Sequence, residues 1–129
     1  MYTIKQVAEK MRVSEHTVRF YAKEGLFPFI KRDKNNVRLF SEKDIGDVAT
    51  VLCLRDTGMS LQEIRNYMDL CRQGDATISQ RLAIIQRQKV VTLAQLAELQ
   101  RKVEHLECKE KCYKELLHSG ENDCCKSLP

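Results

Sequence analysis

Apolar residues recur along this chain at helical spacing in five stretches, and most of these open on a hydroxyl side chain. Ile4, Val7, Ala8 and Met11 give the first stretch one apolar face, while Val18 is the inward residue of the second. Thr3-x-x-Gln6, Ser41-x-x-Asp44, Ser60-x-x-Glu63 and Thr77-x-x-Gln80 all resemble capping boxes, in which the first side chain accepts from an orphan helix N–H and the later one reaches back. Ser14 is a simple N-cap. Gly25, Gly58, Gly74 and Gly120 each follow an amphipathic stretch and can end it in a left-handed conformation. These signals predict helices over residues 4–11, 15–24, 42–57, 61–72 and 78–118, with a frayed or disordered tail beyond.

Between the second and third stretches the period changes. Phe29-Ile30-Lys31-Arg32 and Val37-Arg38-Leu39-Phe40 flank Asp33-Lys34-Asn35-Asn36, a turn whose Asn and Asp residues tolerate positive φ. A β-hairpin follows from that pattern. The fold class expected is therefore all-α with a small β-hairpin wing: a winged helix-turn-helix head followed by a long antiparallel coiled-coil dimerisation helix. The domains are a head over residues 1–74, the dimerisation helix over 75–118, and a flexible cysteine-containing tail over 119–129.

Charge changes the picture through its placement. A net charge of +4 over 129 residues is modest, yet from Lys5 to Lys43 basic residues outnumber acidic ones by ten to five. Two short helices joined at Arg12-Val13 match a helix-turn-helix whose second helix can enter the major groove, and the basic hairpin beside it can grip phosphate. The DNA contacts expected are Thr3, Ser14, His16, Thr17, Arg19, Tyr21 and Lys23 from the helices, Lys34, Asn36 and Arg38 from the wing, and Arg55. Taken without the wing, the same helices would read equally well as a helical hairpin with a solvated polar face.

The segments Tyr2-Thr3-Ile4-x-x-Val7-Ala8, Val13-Ser14-x-x-Thr17-Val18-Arg19-Phe20-Tyr21-x-x-x-Gly25-Leu26, Val37-Arg38-Leu39-Phe40-Ser41 and Leu54-Arg55-Asp56-Thr57-Gly58-Met59-Ser60-Leu61-x-x-Ile64 resemble the MerR family of transcriptional regulators. That resemblance covers about the first 70 residues by motif. It implies an effector-responsive homodimer on promoter DNA whose spacer between the two polymerase-recognition elements is over-long. Such a dimer untwists and kinks the spacer so that RNA polymerase engages both elements, with contact energy offsetting the deformation. It also implies contacts from Thr17, Arg19, Tyr21, Arg38 and Arg55. Asn36-Val37-Arg38-Leu39-Phe40 departs from the Gly-Tyr-Arg-x-Tyr of many members, which puts an aromatic phosphate contact in doubt.

In the last stretch Leu82, Ile85, Leu96, Leu99, Val103, Leu106, Tyr113 and Leu117 follow an alternating three-and-four spacing. Lys89, Thr92 and Glu110 are the seam positions that break it. At about 1.5 Å per residue such a helix runs roughly 60 Å, too far for one small head to cover. A two-fold antiparallel pair buries the stripe and sets two heads on two half-sites. A helix folded back on its own head is the alternative.

Six cysteines pose the remaining question. The chain opens without a secretory pattern and has no apolar run near the roughly 20 residues that span a bilayer, so a cytoplasmic protein with reduced thiols and no membrane partner is expected. Cys53, within Val51-Leu52-Cys53-Leu54-Arg55, falls on the expected apolar side of the third helix. It reads either as a small buried hydrophobe or as the effector-sensing residue. Its following Leu-Arg-Asp-Thr-Gly-Met-Ser is similar to the MerR branch that answers aldehydes, electrophiles or nitrosative stress, which makes a stress response the expected role, with Arg55 assisting the thiolate if near.

No cofactor is required by the sequence, but a soft metal ion is an open alternative. Cys108 and Cys112 are one helical turn apart, and Cys124 and Cys125 can complete an all-thiolate set. Against it, the metal-sensing branch carries its ligands in a loop beyond the dimer helix, and some members add a cysteine where this chain has Thr77-Ile78-Ser79. A regulator answering a small organic ligand is the third possibility. Cys71 reads as structural. With no Cys-x-x-Cys, no glycine-rich phosphate loop and no nucleophile paired to His and carboxylate, an enzyme is not expected.

Overall fold

The computed structural model describes residues 1–28 and 30–119. It contains α1 (Ile4–Met11), α2 (Glu15–Lys23), β1 (Lys31–Arg32), β2 (Arg38–Leu39), α3 (Glu42–Asp56), α4 (Leu61–Arg72), a 3-10 turn (Asp75–Thr77) and α5 (Ile78–Ser119). Each helix differs from its expected span by at most a residue at its C-terminal end.

The caps explain that agreement. Thr3 accepts from the Gln6 amide while the Gln6 side chain takes the Thr3 amide (2.9 Å), a complete capping box, and Ser41 with Asp44 forms a second. Ser14 and Ser60 each accept from the amide three residues on. Thr77 behaves otherwise: it lies in the 3-10 turn, is buried, and donates toward the carbonyl oxygens of Leu70 (2.5 Å) and Gly74 (2.9 Å). The expected box at Thr77 is thus replaced by a staple that ties the end of α4 to the turn. Gly25, Gly58 and Gly74 all have positive φ, the conformation that ends a helix without a Cβ clash. Gly120 lies outside the described residues.

The hairpin is shorter than the sequence pattern implies. Lys31 pairs with Leu39 and Arg32 with Arg38, antiparallel, and Tyr2 bridges Phe40 on the far side (N–H to O distances 2.7 and 2.8 Å). Asp33 closes the loop by accepting on Oδ1 from the amides of Asn35 (2.8 Å) and Val37 (2.9 Å), and Asn36 supplies the positive φ (62°). Phe29, the expected first residue of the hairpin, lies outside the described residues.

Among the described residues two units are distinguished, one within residues 1–88 and one from 89 to 119. In the first, Val7 and Ala8 of α1, Val18 of α2, Phe40 after the hairpin, Val48 and Val51 of α3 and Ile64 of α4 share one core, with Ile84 from the start of α5 packed against it. The second contains the rest of α5. Among the described residues no helix is long and apolar enough to cross a membrane.

Candidate nucleic-acid interface

The helix-turn-helix is built on a single left-handed residue. Arg12 takes φ 58° at the C-cap of α1, its N–H returns to the carbonyl of Glu9 (3.3 Å), and the chain turns directly into Ser14. Ser14 spends its hydroxyl on the Thr17 amide (3.0 Å) and the Thr17 hydroxyl (2.9 Å), so both side chains help start α2. Thr3 is likewise occupied as the α1 cap.

Val18 is fully buried and is the sole buried residue of α2. His16, Arg19 and Lys23 are exposed on the remaining face, with Arg19 3.5 Å from Glu15 in a solvent-facing pair. Tyr21 is half-buried, packed against the core and edge-on to Phe20 at 5.4 Å between ring centres. Phe20 itself is 42% exposed, an apolar ring on the outer face that the sequence reading did not single out.

In the wing, Lys31, Arg32, Lys34 and Asn36 are exposed and Arg38 is half-buried. Arg32 folds back so that Nη1 donates to the Asn36 carbonyl (3.0 Å), stiffening the hairpin from within. Lys34 is left at the tip. At the hairpin base, Tyr2 donates its hydroxyl to the Glu42 carboxylate, and that bond raises the Tyr2 pKa above its ordinary value. Lys10 lies over the same ring, 5.6 Å from its centre.

Arg55 emerges at the end of α3, where Nη1 donates to the Met59 carbonyl (3.0 Å) and spans the α3–α4 turn. The hydroxyl of Thr57 donates to the Leu54 carbonyl (2.6 Å) within that turn. The contacts that position α2 and α3 at long range have no local sequence signal: Arg65 on Glu24 and Gln88 on Thr57 join residues 41 and 31 positions apart.

Cys53 departs from expectation. The buried face of α3 runs through Ile45, Val48, Val51 and Leu54, and Cys53 is exposed. It follows Val51 by two residues, about 200° round the helix, which carries it to the solvent side. Arg55 is again two residues on, so the two side chains leave opposite faces and Arg55 is not placed to assist the thiolate.

Along α5 the eight stripe residues are all exposed, Leu96, Leu106 and Leu117 by 61%, 66% and 90%. Val90, Val91 and Leu93 are exposed as well and lie off the expected seam. Farther along, Cys108 is half-buried and Cys112 fully buried. Among the described residues no three His, Cys, Asp or Glu side chains are grouped to hold a metal, and Cys124 and Cys125 lie outside those residues. Cys71, half-buried, neighbours Tyr67, whose pKa is raised by burial first and by this thiol second.

A short helix on a left-handed turn, a basic hairpin beside it and a second helix pair together form a winged helix-turn-helix. Residues 2–71 match the MerR HTH family regulatory proteins, and residues 46–107 the MerR DNA-binding family. The chain belongs to the MerR family. An uncharacterized HTH-type transcriptional regulator of Haemophilus influenzae is 41% identical over 108 residues, covering 84% of this chain and 80% of that protein. AdhR of Bacillus subtilis is 32% identical over 90 residues, 68% of this chain and 64% of AdhR.

Among solved structures, HiNmlR, a MerR family regulator lacking the sensor domain and bound to promoter DNA, superposes with a TM-score of 0.85. It is 38% identical, and the match covers 99% of this chain and 96% of HiNmlR. PbrR691 of Ralstonia metallidurans CH34, in complex with lead(II), matches at a TM-score of 0.58 with 26% identity and full coverage of both chains. As a MerR-family member, the protein is a DNA-binding transcriptional regulator and not an enzyme.

Proposed function

We propose that this regulator acts as a homodimer in which α5 pairs antiparallel with α5 of a second copy, setting two heads on two half-sites of a promoter. The uncovered stripe through Leu96, Leu99, Val103 and Leu106 supports the pairing, because a helix left single would keep those side chains in water. Binding of promoter DNA by HiNmlR supports the target. In this reading α2 enters the major groove, Lys34 and Arg38 of the wing hold phosphate, and Arg55 holds phosphate from the α3–α4 turn. The bound pair deforms an over-long spacer so that RNA polymerase can engage both promoter elements.

The effector in this proposal is a thiol-reactive aldehyde or electrophile, and the observation that carries it is the position of Cys53. Its thiol is open to solvent, and its carbonyl accepts from the amide of Thr57 (3.2 Å), the residue that Gln88 of α5 also grips. An adduct at Cys53 would therefore form one turn from the tie between α3 and the start of α5. Replacing Cys53 with Ser is expected to leave operator binding intact and to abolish promoter induction by an electrophile. Induction that persists in that variant defeats the proposal. A protein that sediments as a monomer at micromolar concentration defeats the dimer.

A second reading is favoured by Cys108 and Cys112, one turn apart on α5 and both withdrawn from solvent. With Cys124 and Cys125 they would supply four thiolates to zinc, copper(I) or a heavier soft ion. The lead(II) complex of PbrR691 supports this reading by analogy. Native mass spectrometry with zinc or copper(I) separates the two. Tight metal retention that is lost on replacing Cys108 and Cys112 favours the metal, and no retention favours the thiol reagent.

A further inference from the structure

Helix α2 has nine residues and buries one of them fully, Val18. Val18 fixes where the helix lies, the half-buried Tyr21 and Ala22 pack against the core beside it, and what holds the two ends sets the remaining tilt of α2. At the N-terminal end, Ser14 and the left-handed Arg12 join it tightly to α1. At the C-terminal end, its cap Glu24 is held from a distant helix: Arg65 of α4 donates Nε to the Glu24 carbonyl (2.7 Å) and Nη2 to its carboxylate (2.9 Å). A third nitrogen, Nη1, reaches Gln62 on its own helix (3.3 Å) and steadies the guanidinium.

The chemistry suits the place. The last carbonyls of a helix lack intrahelical partners and carry partial negative charge, and a cation answers both needs. Nε and Nη2 lie on one edge of a rigid plane, so gripping the carbonyl and carboxylate of a single residue fixes direction as well as distance. Arg65 and Glu24 side chains retain about a third of their exposure (32% and 36%), so the pair is partly withdrawn from screening solvent. Beyond Arg65, α4 leads back to the α3–α4 turn, which is itself stiffened by Arg55 on Met59 and Thr57 on Leu54. One side chain thereby connects the recognition helix to the turn that carries Arg55.

We propose that Arg65 is a positioning residue that sets the register between α2 in the groove and Arg55 on the backbone, and so controls how well this protein distinguishes its operator from other DNA. This rests on the placement of α2 and Arg55 proposed above. Arg65 itself touches no DNA. Its loss relaxes orientation without removing a phosphate contact.

The test uses the full chain and two duplexes: one selected from a random library by the wild-type protein, the other a scrambled duplex of equal length and composition. Arg65→Met keeps the side-chain length and removes the donors. It is expected to weaken binding to the selected duplex by roughly tenfold or more, the scale of a charged hydrogen-bonded pair. Binding to the scrambled duplex should change by less than about threefold, with an unchanged dependence on salt. Arg65→Lys, which can take one acceptor at a time, and Glu24→Gln, which leaves the carbonyl in place, should fall between; both serve if Arg65→Met does not fold. Circular dichroism confirms that each variant is folded at the assay temperature.

Equal losses on both duplexes would mark Arg65 as structural only and overturn the proposal, as would undiminished discrimination. A shallower salt dependence would make Arg65 a phosphate contact and overturn it too. Wild-type protein that selects no duplex would remove the DNA placement, and the proposal with it.

Discussion

Gln88, near the start of α5, donates its side-chain amide to both the carbonyl (3.2 Å) and the hydroxyl oxygen (3.0 Å) of Thr57, the C-cap of α3. The contact stitches the beginning of the long helix onto the head, alongside Ile84, which packs against the core. Replacing Gln88 with Ala is expected to lower the unfolding free energy by about 1 kcal/mol, the net worth of a hydrogen-bonded contact. Urea titrations at one fixed protein concentration check this, since a dimer's midpoint depends on concentration. An unchanged midpoint would show that the packing of Ile84 suffices.

Thiol accessibility differs sharply between two helices. Cys53 is exposed on α3, whereas Cys112 is fully buried on α5. Alkylation of the native protein with iodoacetamide, followed by peptide mass spectrometry, is expected to label Cys53 well before Cys112, because the thiolate must reach the reagent's carbon to displace iodide and a buried sulfur cannot. Denaturant should abolish the difference. Labelling of Cys112 first would contradict its burial on α5.

The wing and the recognition helix should separate in a binding titration. Lys34→Ala removes a charge from the hairpin tip and is expected to weaken all duplexes alike, lowering the salt slope by about one. Arg19→Ala, on the outer face of α2, is expected to flatten the preference among related sequences as well. A loss of preference in Lys34→Ala with an unchanged salt slope would reverse these assignments.

The bond from Tyr2 to Glu42 gives a pH signature. The carboxylate accepts from the phenol and repels a phenolate, so the folded pKa of Tyr2 lies above its ordinary 10.0. A raised folded pKa means that the contribution to stability is full below the unfolded value and is lost as pH rises through the folded one. The midpoint difference between wild type and Tyr2→Phe should therefore hold steady from about pH 7 to 9 and narrow above about pH 10. A difference that grows with alkaline pH would contradict the bond.

The sequence by itself determined where helices begin and end. Thr3, Ser14, Ser41 and Ser60 act on amides three residues away, and Gly25, Gly58 and Gly74 act on their own φ, so both signals are complete within a short window of chain. The same locality made the basic hairpin and the inward Val18 legible. Tertiary structure decided the rest. Thr77 had the spelling of a cap, yet the nearby carbonyls of Leu70 and Gly74 offered its hydroxyl better partners once α4 and the 3-10 turn were packed. Cys53 lies among apolar neighbours in sequence, but its side of α3 depended on which face met the core. Arg65 on Glu24 and Gln88 on Thr57 could not be read at all, because a hydrogen bond between residues 41 or 31 positions apart exists only after the helices have been brought together.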